Sequence, residues 1–96
     1  MNGANLMFNT GDIVRYKQSG PDAWHEAHRF KGLVFTVTHP VNRLKVSVSV
    51  AVVAHEPGIP EHIANLYYVG YPFGGATPEY LEKVKLTKSG KVSINV

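Results

Sequence analysis

The chain contains no cysteine. That absence excludes disulfide bridges, thiol nucleophiles and zinc sites built from cysteine. Long apolar runs are missing too, since no stretch approaches the roughly 18 residues that a membrane-spanning helix needs. The first ten residues lack the basic segment that opens a secretory signal peptide. These absences together predict a soluble, cytoplasmic protein that does not enter a membrane.

Charge is also sparse. Acidic and basic residues make up 18% of the 96 residues, against roughly 25% in typical globular chains. The formal net charge is +3, which is too small for a polybasic protein. Hydrophobic residues account for 44%, enough for a modest core in one small domain. We therefore expect residues 1–10 to be a flexible leader and residues 11–96 to form a single domain.

Residues 43–54 carry the clearest pattern in the chain. Apolar side chains alternate there with polar or small ones at Leu44, Val46, Val48, Val50 and Val52. A period of two is typical of a half-buried strand, and β-branched valines disfavour a helix. The pattern predicts a strand that pairs as a hairpin with a second strand at residues 31–38.

Shorter strand patterns occur at residues 13–17, 66–71, 84–86 and 92–96. Residues 18–30 are predicted to form a long structured loop with one helical turn, and residues 79–82 a second helical turn. Residues 72–78 are rich in glycine and proline, which indicates a loop. Five to six short strands with one or two short helical turns predict an all-β fold, a small antiparallel barrel or rolled sheet.

Three segments, Gly11-Asp12-Ile13-Val14, residues 30–37 and residues 80–84, together resemble Src-homology-3-like small barrels of the KOW and Tudor type. Gly11-Asp12-Ile13-Val14 is similar to their first strand, and residues 30–37 are similar to their aromatic-x-Gly…Val stretch. Tyr80-Leu81-Glu82-Lys83-Val84 resembles the short helical turn that leads into their last strand. The resemblance covers about residues 11–87 and implies a small barrel. Barrels of this kind without catalytic motifs are common in accessory proteins of phages and mobile elements, so the resemblance also points to such an origin.

The motifs that mark an enzyme are missing. No serine lies in a G-x-S-x-G elbow, and residues 70–75 lack the Lys-Ser/Thr of a phosphate-binding loop. The carboxylates of Glu79 and Glu82 flank Leu81, which we expect to face the core. The sequence therefore predicts a protein without enzymatic activity and without a cofactor.

Histidines offer one candidate metal site. His25 and His28 are three residues apart and would share one side of a helical turn, but the metalloprotease pattern needs a spacing of four. His39, His55 and His62 each lie in a separate turn or loop. We therefore predict no metal site, with metal binding by His25 and His28 as the alternative.

Aromatic residues are more informative, because eight rings lie outside the valine core. In the barrels that the chain resembles, the surface between the first large loop and the last helical turn is the binding face. The resemblance places Trp24, Tyr71, Phe73, Tyr80 and Tyr16 at such a face. Trp24 lies in a polar loop, and we expect it to be partly exposed and to anchor a partner. The alternative is that Phe73 and Tyr80 plug the barrel ends.

Basic residues alternate with apolar ones on two predicted strands. Arg15, Lys17, Arg43 and Lys45 are expected on polar strand faces, where they would form a basic stripe. Such charge, interleaved with aromatic rings, suits single-stranded DNA or RNA, but lysines on strands also solubilise a protein and protect sheet edges. The sequence predicts a non-catalytic module that binds another protein through an aromatic groove. Nucleic-acid binding is the alternative if the stripe and the rings share one face. The sequence defines neither the partner nor the oligomeric state.

Overall fold

Six short strands form one antiparallel sheet in the computed structural model, which describes residues 8–18, 27–39, 47–86 and 92–94. The strands are β1 (Ile13–Tyr16), β2 (Leu33–His39), β3 (Val48–His55), β4 (Gly74–Ala76), β5 (Leu81–Leu86) and β6 (Val92–Ile94). Their spatial order is β4-β3-β2-β1-β5-β6. The helical elements are a first 3₁₀ turn (Ala27–Phe30), helix α1 (Glu61–Leu66) and a second 3₁₀ turn (Pro78–Tyr80). The all-β prediction is confirmed, with an open strand order over the described residues.

The predicted hairpin is present. Strand β2 pairs antiparallel with β3, with Leu33 opposite His55 and Val37 opposite Val50. The register shifts between Val34 and Phe35, which marks a bulge in this pair. Val48, Val50 and Val52 are buried, as their alternation predicted, whereas Leu44 and Val46 lie outside the described residues.

One face of the sheet carries the core. Its buried residues come from the five strands that share it and from Phe8, which precedes β1. They are Phe8, Val14, Tyr16, Leu33, Phe35, Val37, Val48, Val50, Val52, Ala76 and Leu81. A core assembled from so many short segments depends on contacts distant in sequence, because no described element is long enough to be stable alone.

The strand predicted at residues 66–71 is wrong. Helix α1 begins after Pro60, whose carbonyl accepts hydrogen bonds from the N–H groups of Ile63 and Ala64, both at 3.0 Å. After the helix, Gly70 adopts a φ of +100°, which turns the chain back toward β3. The Val52 carbonyl then accepts a hydrogen bond from the Gly70 N–H at 2.8 Å, and the Val52 N–H donates to the Tyr71 carbonyl at 2.9 Å. The aromatic segment therefore reaches the sheet through a turn rather than as a strand.

The Gly/Pro loop predicted at residues 72–78 contains strand β4. Its register places Gly74 opposite Val50 and Ala76 opposite Val48. The helical turn predicted at residues 79–82 is present but ends at Tyr80, so Glu82 belongs to β5. Because glycine has no intrinsic preference for strands, backbone pairing with β3 determines that residues 74–76 form a strand.

Gly32 meets two separate constraints at the start of β2. Its φ is +99°, a conformation that side chains with a Cβ rarely adopt. A Cβ built there would lie 3.0 Å from both Cβ and Cγ1 of Ile59, which belongs to the loop after β3. The Gly32 carbonyl also accepts the Glu56 N–H at 2.8 Å. The loop can therefore close over the chain only at a residue without a side chain.

We predict that Gly32→Val destabilises the fold more than Thr36→Val does. The first change combines backbone strain with a clash against Ile59 and should cost about 2–4 kcal/mol of unfolding free energy. The second places a good strand former at a half-buried position of β2 and should cost less than about 1 kcal/mol. Urea unfolding of both variants measures the difference, and equal losses would contradict the role assigned to Gly32.

Candidate binding face

A band of stacked aromatic rings covers one end of the core. Tyr16 in β1 contacts Phe30, Phe35 and Phe73, with ring centroids 5.7, 5.8 and 6.3 Å apart. Phe73 also packs on Phe35 at 4.7 Å and on Phe30 at 5.2 Å. Tilted and edge-to-face pairs at these separations each stabilise a fold by about 0.5–1.5 kcal/mol beyond area burial. The rings thus fasten the first 3₁₀ turn and the segment before β4 to the sheet.

The band continues toward the end of α1. Tyr67 contacts Phe30 and Phe73, both at 5.7 Å, and Tyr71 at 5.4 Å. Tyr68 packs on Tyr71 at 5.3 Å but remains 54% exposed. We call this set of rings the aromatic band: Tyr16, Phe30, Phe35, Tyr67, Tyr68, Tyr71 and Phe73. It runs from the buried core to the surface.

A groove of about 230 Å³ lies beside the inner end of the band. We call it the Tyr80 groove, and its walls are Tyr16, Gly75, Ala76, Thr77 and Tyr80. The second 3₁₀ turn positions Tyr80, whose N–H donates to the Thr77 carbonyl at 3.0 Å. The Tyr80 carbonyl in turn accepts the Lys17 N–H at 2.7 Å. This bond joins the end of β1 to the turn before β5.

The structure brings several of the predicted binding residues together. Tyr16 and Tyr80 share the groove, Lys17 adjoins it through its backbone, and Phe73 and Tyr71 belong to the band. Tyr16 is buried, so it contributes to the floor of this face rather than to its rim. Trp24, Arg43 and Lys45 lie outside the described residues.

Other residues of this face were not singled out from the sequence. Thr77 and Gly75 line the groove. Phe30 and Tyr67 connect Tyr16, a wall of the groove, to the end of α1. The sequence holds one signal for Tyr67, because it falls four residues after Ile63, the spacing of neighbours on one helix face. In the structure the Tyr67 N–H donates to the Ile63 carbonyl at 2.9 Å. Thr77 and Gly75 carry no such signal.

Arg15 lies on the opposite face of β1 from Tyr16, because successive strand residues point to opposite sides. Its Nε donates to Glu82 Oε2 at 2.9 Å, and its Nη1 donates to both carboxylate oxygens of Glu56, at 3.2 and 3.0 Å. Burial alone would lower the pKa of Arg15, but these hydrogen bonds and the two negative charges outweigh it and raise the pKa. Arg15 therefore ties β1 to β5 and to the loop after β3.

A second basic residue of the described chain, Lys83, is also engaged by an acid. Lys83 Nζ lies 3.5 Å from Asp12 Oδ2 and 5.9 Å from the centroid of the Phe8 ring. The Lys83 side chain is 46% exposed, so this contact is weaker than that of Arg15. Neither Arg15 nor Lys83 lines the Tyr80 groove.

The described residues contain no group of three or more histidine or acidic side chains placed to hold a metal ion. His25 and the side chain of His28 fall outside the described part of the chain. No helix in the described ranges has the length and apolar character needed to traverse a membrane. Comparison with protein-family models, curated proteins and solved structures finds no match to this chain.

We predict that the loss of folding stability at alkaline pH depends on Tyr16. Burial raises the pKa of its phenol from 10.0 to about 12. The folded protein therefore keeps this proton between pH 10 and about 12, where the unfolded chain loses it, and the free energy of unfolding falls as pH rises through that window. Urea unfolding across the window should show this fall in the parent protein and a shallower one in Tyr16→Phe.

The same assignment has a spectroscopic check. Near-ultraviolet absorbance of tyrosinate should show a titration step near pH 12 that is absent in Tyr16→Phe. Identical pH profiles for the two proteins would contradict the burial of the phenol.

We predict that Arg15→Met costs about 1–2 kcal/mol of unfolding free energy, between the values typical of exposed and fully buried ion pairs. The variant leaves the carboxylates of Glu56 and Glu82 without their shared cation. Adding Glu82→Gln should recover part of the loss, because it removes one of the two like charges.

The matched control for Arg15→Met is Lys83→Met, which removes an exposed pair and should cost less than about 0.5 kcal/mol. Urea unfolding of the single and double variants gives all the values. Equal losses in Arg15→Met and Lys83→Met would show that Arg15 is no more than a surface charge.

Proposed function

We propose that this chain is a non-catalytic module of the small-barrel class that binds an extended segment of another protein in the Tyr80 groove. The observation that carries the proposal is the meeting of two tyrosines, Tyr16 and Tyr80, with the glycine-rich edge strand β4 around one groove. Concave sites with aromatic walls and a few backbone groups are typical of peptide recognition.

The strand order supports the small-barrel part of the proposal. The second 3₁₀ turn leads directly into β5, as the resemblance to Src-homology-3-like barrels implies, and β1 lies between β2 and β5. Phe73, immediately before the edge strand β4, contacts Tyr16 in β1 across the core. The sheet is therefore curled, which is the first requirement for closing it.

The groove suits an extended chain. Gly74 and Gly75 in β4 are exposed and leave backbone near the groove uncovered by side chains. The half-buried Tyr80 ring offers apolar area at low entropic cost, which favours proline or other apolar side chains in the bound segment. Glu79 is exposed in the same 3₁₀ turn as Tyr80 and favours a basic residue beside them. A basic or proline-rich peptide is therefore the proposed ligand.

Nucleic acid is the weaker alternative. Its binding requires basic and aromatic residues on one face. Arg15 lies on the face opposite Tyr16 and is held by two carboxylates, and Lys83 lies beside Asp12. Arg15 and Lys83 therefore form no basic stripe at the described walls of the Tyr80 groove.

The test selects peptides from a random display library with the full chain and compares their affinities for two variants. Thr77→Trp should fill the groove, and it removes no side-chain capping bond from the described 3₁₀ turn. Thr10→Trp is the matched control, because Thr10 is exposed and is not a wall of the groove. We expect Thr77→Trp to weaken peptide binding at least about tenfold, or 1.4 kcal/mol, and Thr10→Trp to leave it unchanged.

Urea midpoints of both variants show whether folding is preserved. Peptides that bind Thr77→Trp as well as the parent protein would overturn the assignment of the groove. Failure to select any peptide, together with oligonucleotide binding that weakens steeply as salt rises, would favour the nucleic-acid alternative.

A further inference from the structure

A second groove lies between the first 3₁₀ turn and helix α1. It consists of two adjoining pockets of about 300 and 260 Å³ that share Arg29 and Ile63 as walls. Lys31, Gly32 and Ile59 line the first pocket, and Phe30, Leu66 and Tyr67 line the second. We call this continuous surface the α1 groove. It shares no wall residue with the Tyr80 groove.

The side chains along the α1 groove are mostly apolar. Ile59, Ile63, Phe30 and Tyr67 are half-buried and pack against the core from this side. Helix α1 has no fully buried residue, and Leu66 at its end is 61% exposed. Tyr68 and Val69, which follow the helix, are exposed as well. Exposed apolar side chains beside a groove are typical of a contact site.

Charge at the rim defines what this surface attracts. Arg29 and Lys31 are exposed on the side of the 3₁₀ turn, and Lys31 has no ion-pair partner among the described residues. Among the described walls of the two pockets the one carboxylate is Glu56, which accepts two hydrogen bonds from the Arg15 guanidinium that also binds Glu82. The exposed Lys31 therefore places a positive charge beside an apolar floor, which complements an acidic ligand with an apolar side chain.

We infer that the α1 groove binds a short acidic and apolar segment of a partner protein. A large apolar side chain of that segment lies between Ile63 and Tyr67 and reaches Leu66. An aspartate or glutamate one or two residues away faces Lys31. The inference is independent of the Tyr80 groove, whose exposed Glu79 favours the opposite charge.

The experiment uses the full chain and a fluorescein-labelled decapeptide that contains Glu-Glu-Leu-Phe. Two further peptides replace both glutamates with glutamine or with lysine. Fluorescence polarisation measures affinity, and amide chemical shifts of the ¹⁵N-labelled chain locate the site. We expect the glutamate peptide to bind with shifts at Lys31, Ile63 and Leu66, and the glutamine peptide to bind at least about fivefold more weakly.

Three variants test the assignment. Lys31→Glu should weaken the affinity for the glutamate peptide at least about fivefold. Lys85→Glu, an equal charge change at an exposed residue of β5, should change that affinity less than about twofold. Leu66→Gln removes exposed apolar area without touching the core and should weaken binding about threefold. Thr77→Trp should have no effect, so failure here is distinguishable from failure of the Tyr80 groove.

Several results would overturn the inference. Equal losses in Lys31→Glu and Lys85→Glu would show attraction to net charge alone, and equal binding of the lysine peptide would exclude the assigned rim. Absence of binding at millimolar peptide would remove the site. Sedimentation that detects a dimer lost in Leu66→Gln would assign the groove to a second copy of the chain. Shifts at the same residues on adding an oligonucleotide but not the peptide would assign it to nucleic acid.

Discussion

Strand β1 has four residues, and among the described strands it alone joins the two parts of the sheet. Strands β2, β3 and β4 lie on one side of it and β5 and β6 on the other. Two adjacent side chains reinforce this junction from opposite faces. Tyr16 points into the core and contacts three rings, while Arg15 points outward and holds Glu82 and Glu56. The alternation of a strand lets four residues stabilise both layers at once.

The elements around the candidate sites are all short. The first 3₁₀ turn has four residues, α1 has six and β4 has three. Segments of this length are unstable alone, because nucleation and chain ordering cost more than their few hydrogen bonds return. Ring contacts from Phe30, Tyr67 and Phe73 therefore fix their positions. The surfaces that we propose for binding depend on the packing of the aromatic band.

The sequence predicted best where one face of a long strand is buried. The strand at Val48 to Val52 can be predicted from neighbouring residues alone, because the burial pattern of one face repeats every two residues. Helix α1 was missed because six residues do not display a period of 3.6, and Tyr67-Tyr68-Val69 has the composition of a strand. Strand β4 was missed because glycine carries no strand preference and its pairing with β3 decides the outcome.

The contacts of Arg15 were beyond prediction for a different reason. Its partners are 41 and 67 residues away in sequence, so they meet only through the register of β1 with β5 and the position of the loop after β3. The sequence predicted a basic stripe, whereas ion pairing makes Arg15 a link between segments.

A ring contact connects the walls of the two proposed grooves. Tyr16 is a wall of the Tyr80 groove, Phe30 is a wall of the α1 groove, and their centroids are 5.7 Å apart. The exposed acid of one groove and the exposed bases of the other favour ligands of opposite charge. A ligand that moves Phe30 must also repack Tyr16, because densely packed rings do not shift independently. The contact that holds β1 in the core therefore also supports one wall of each proposed groove.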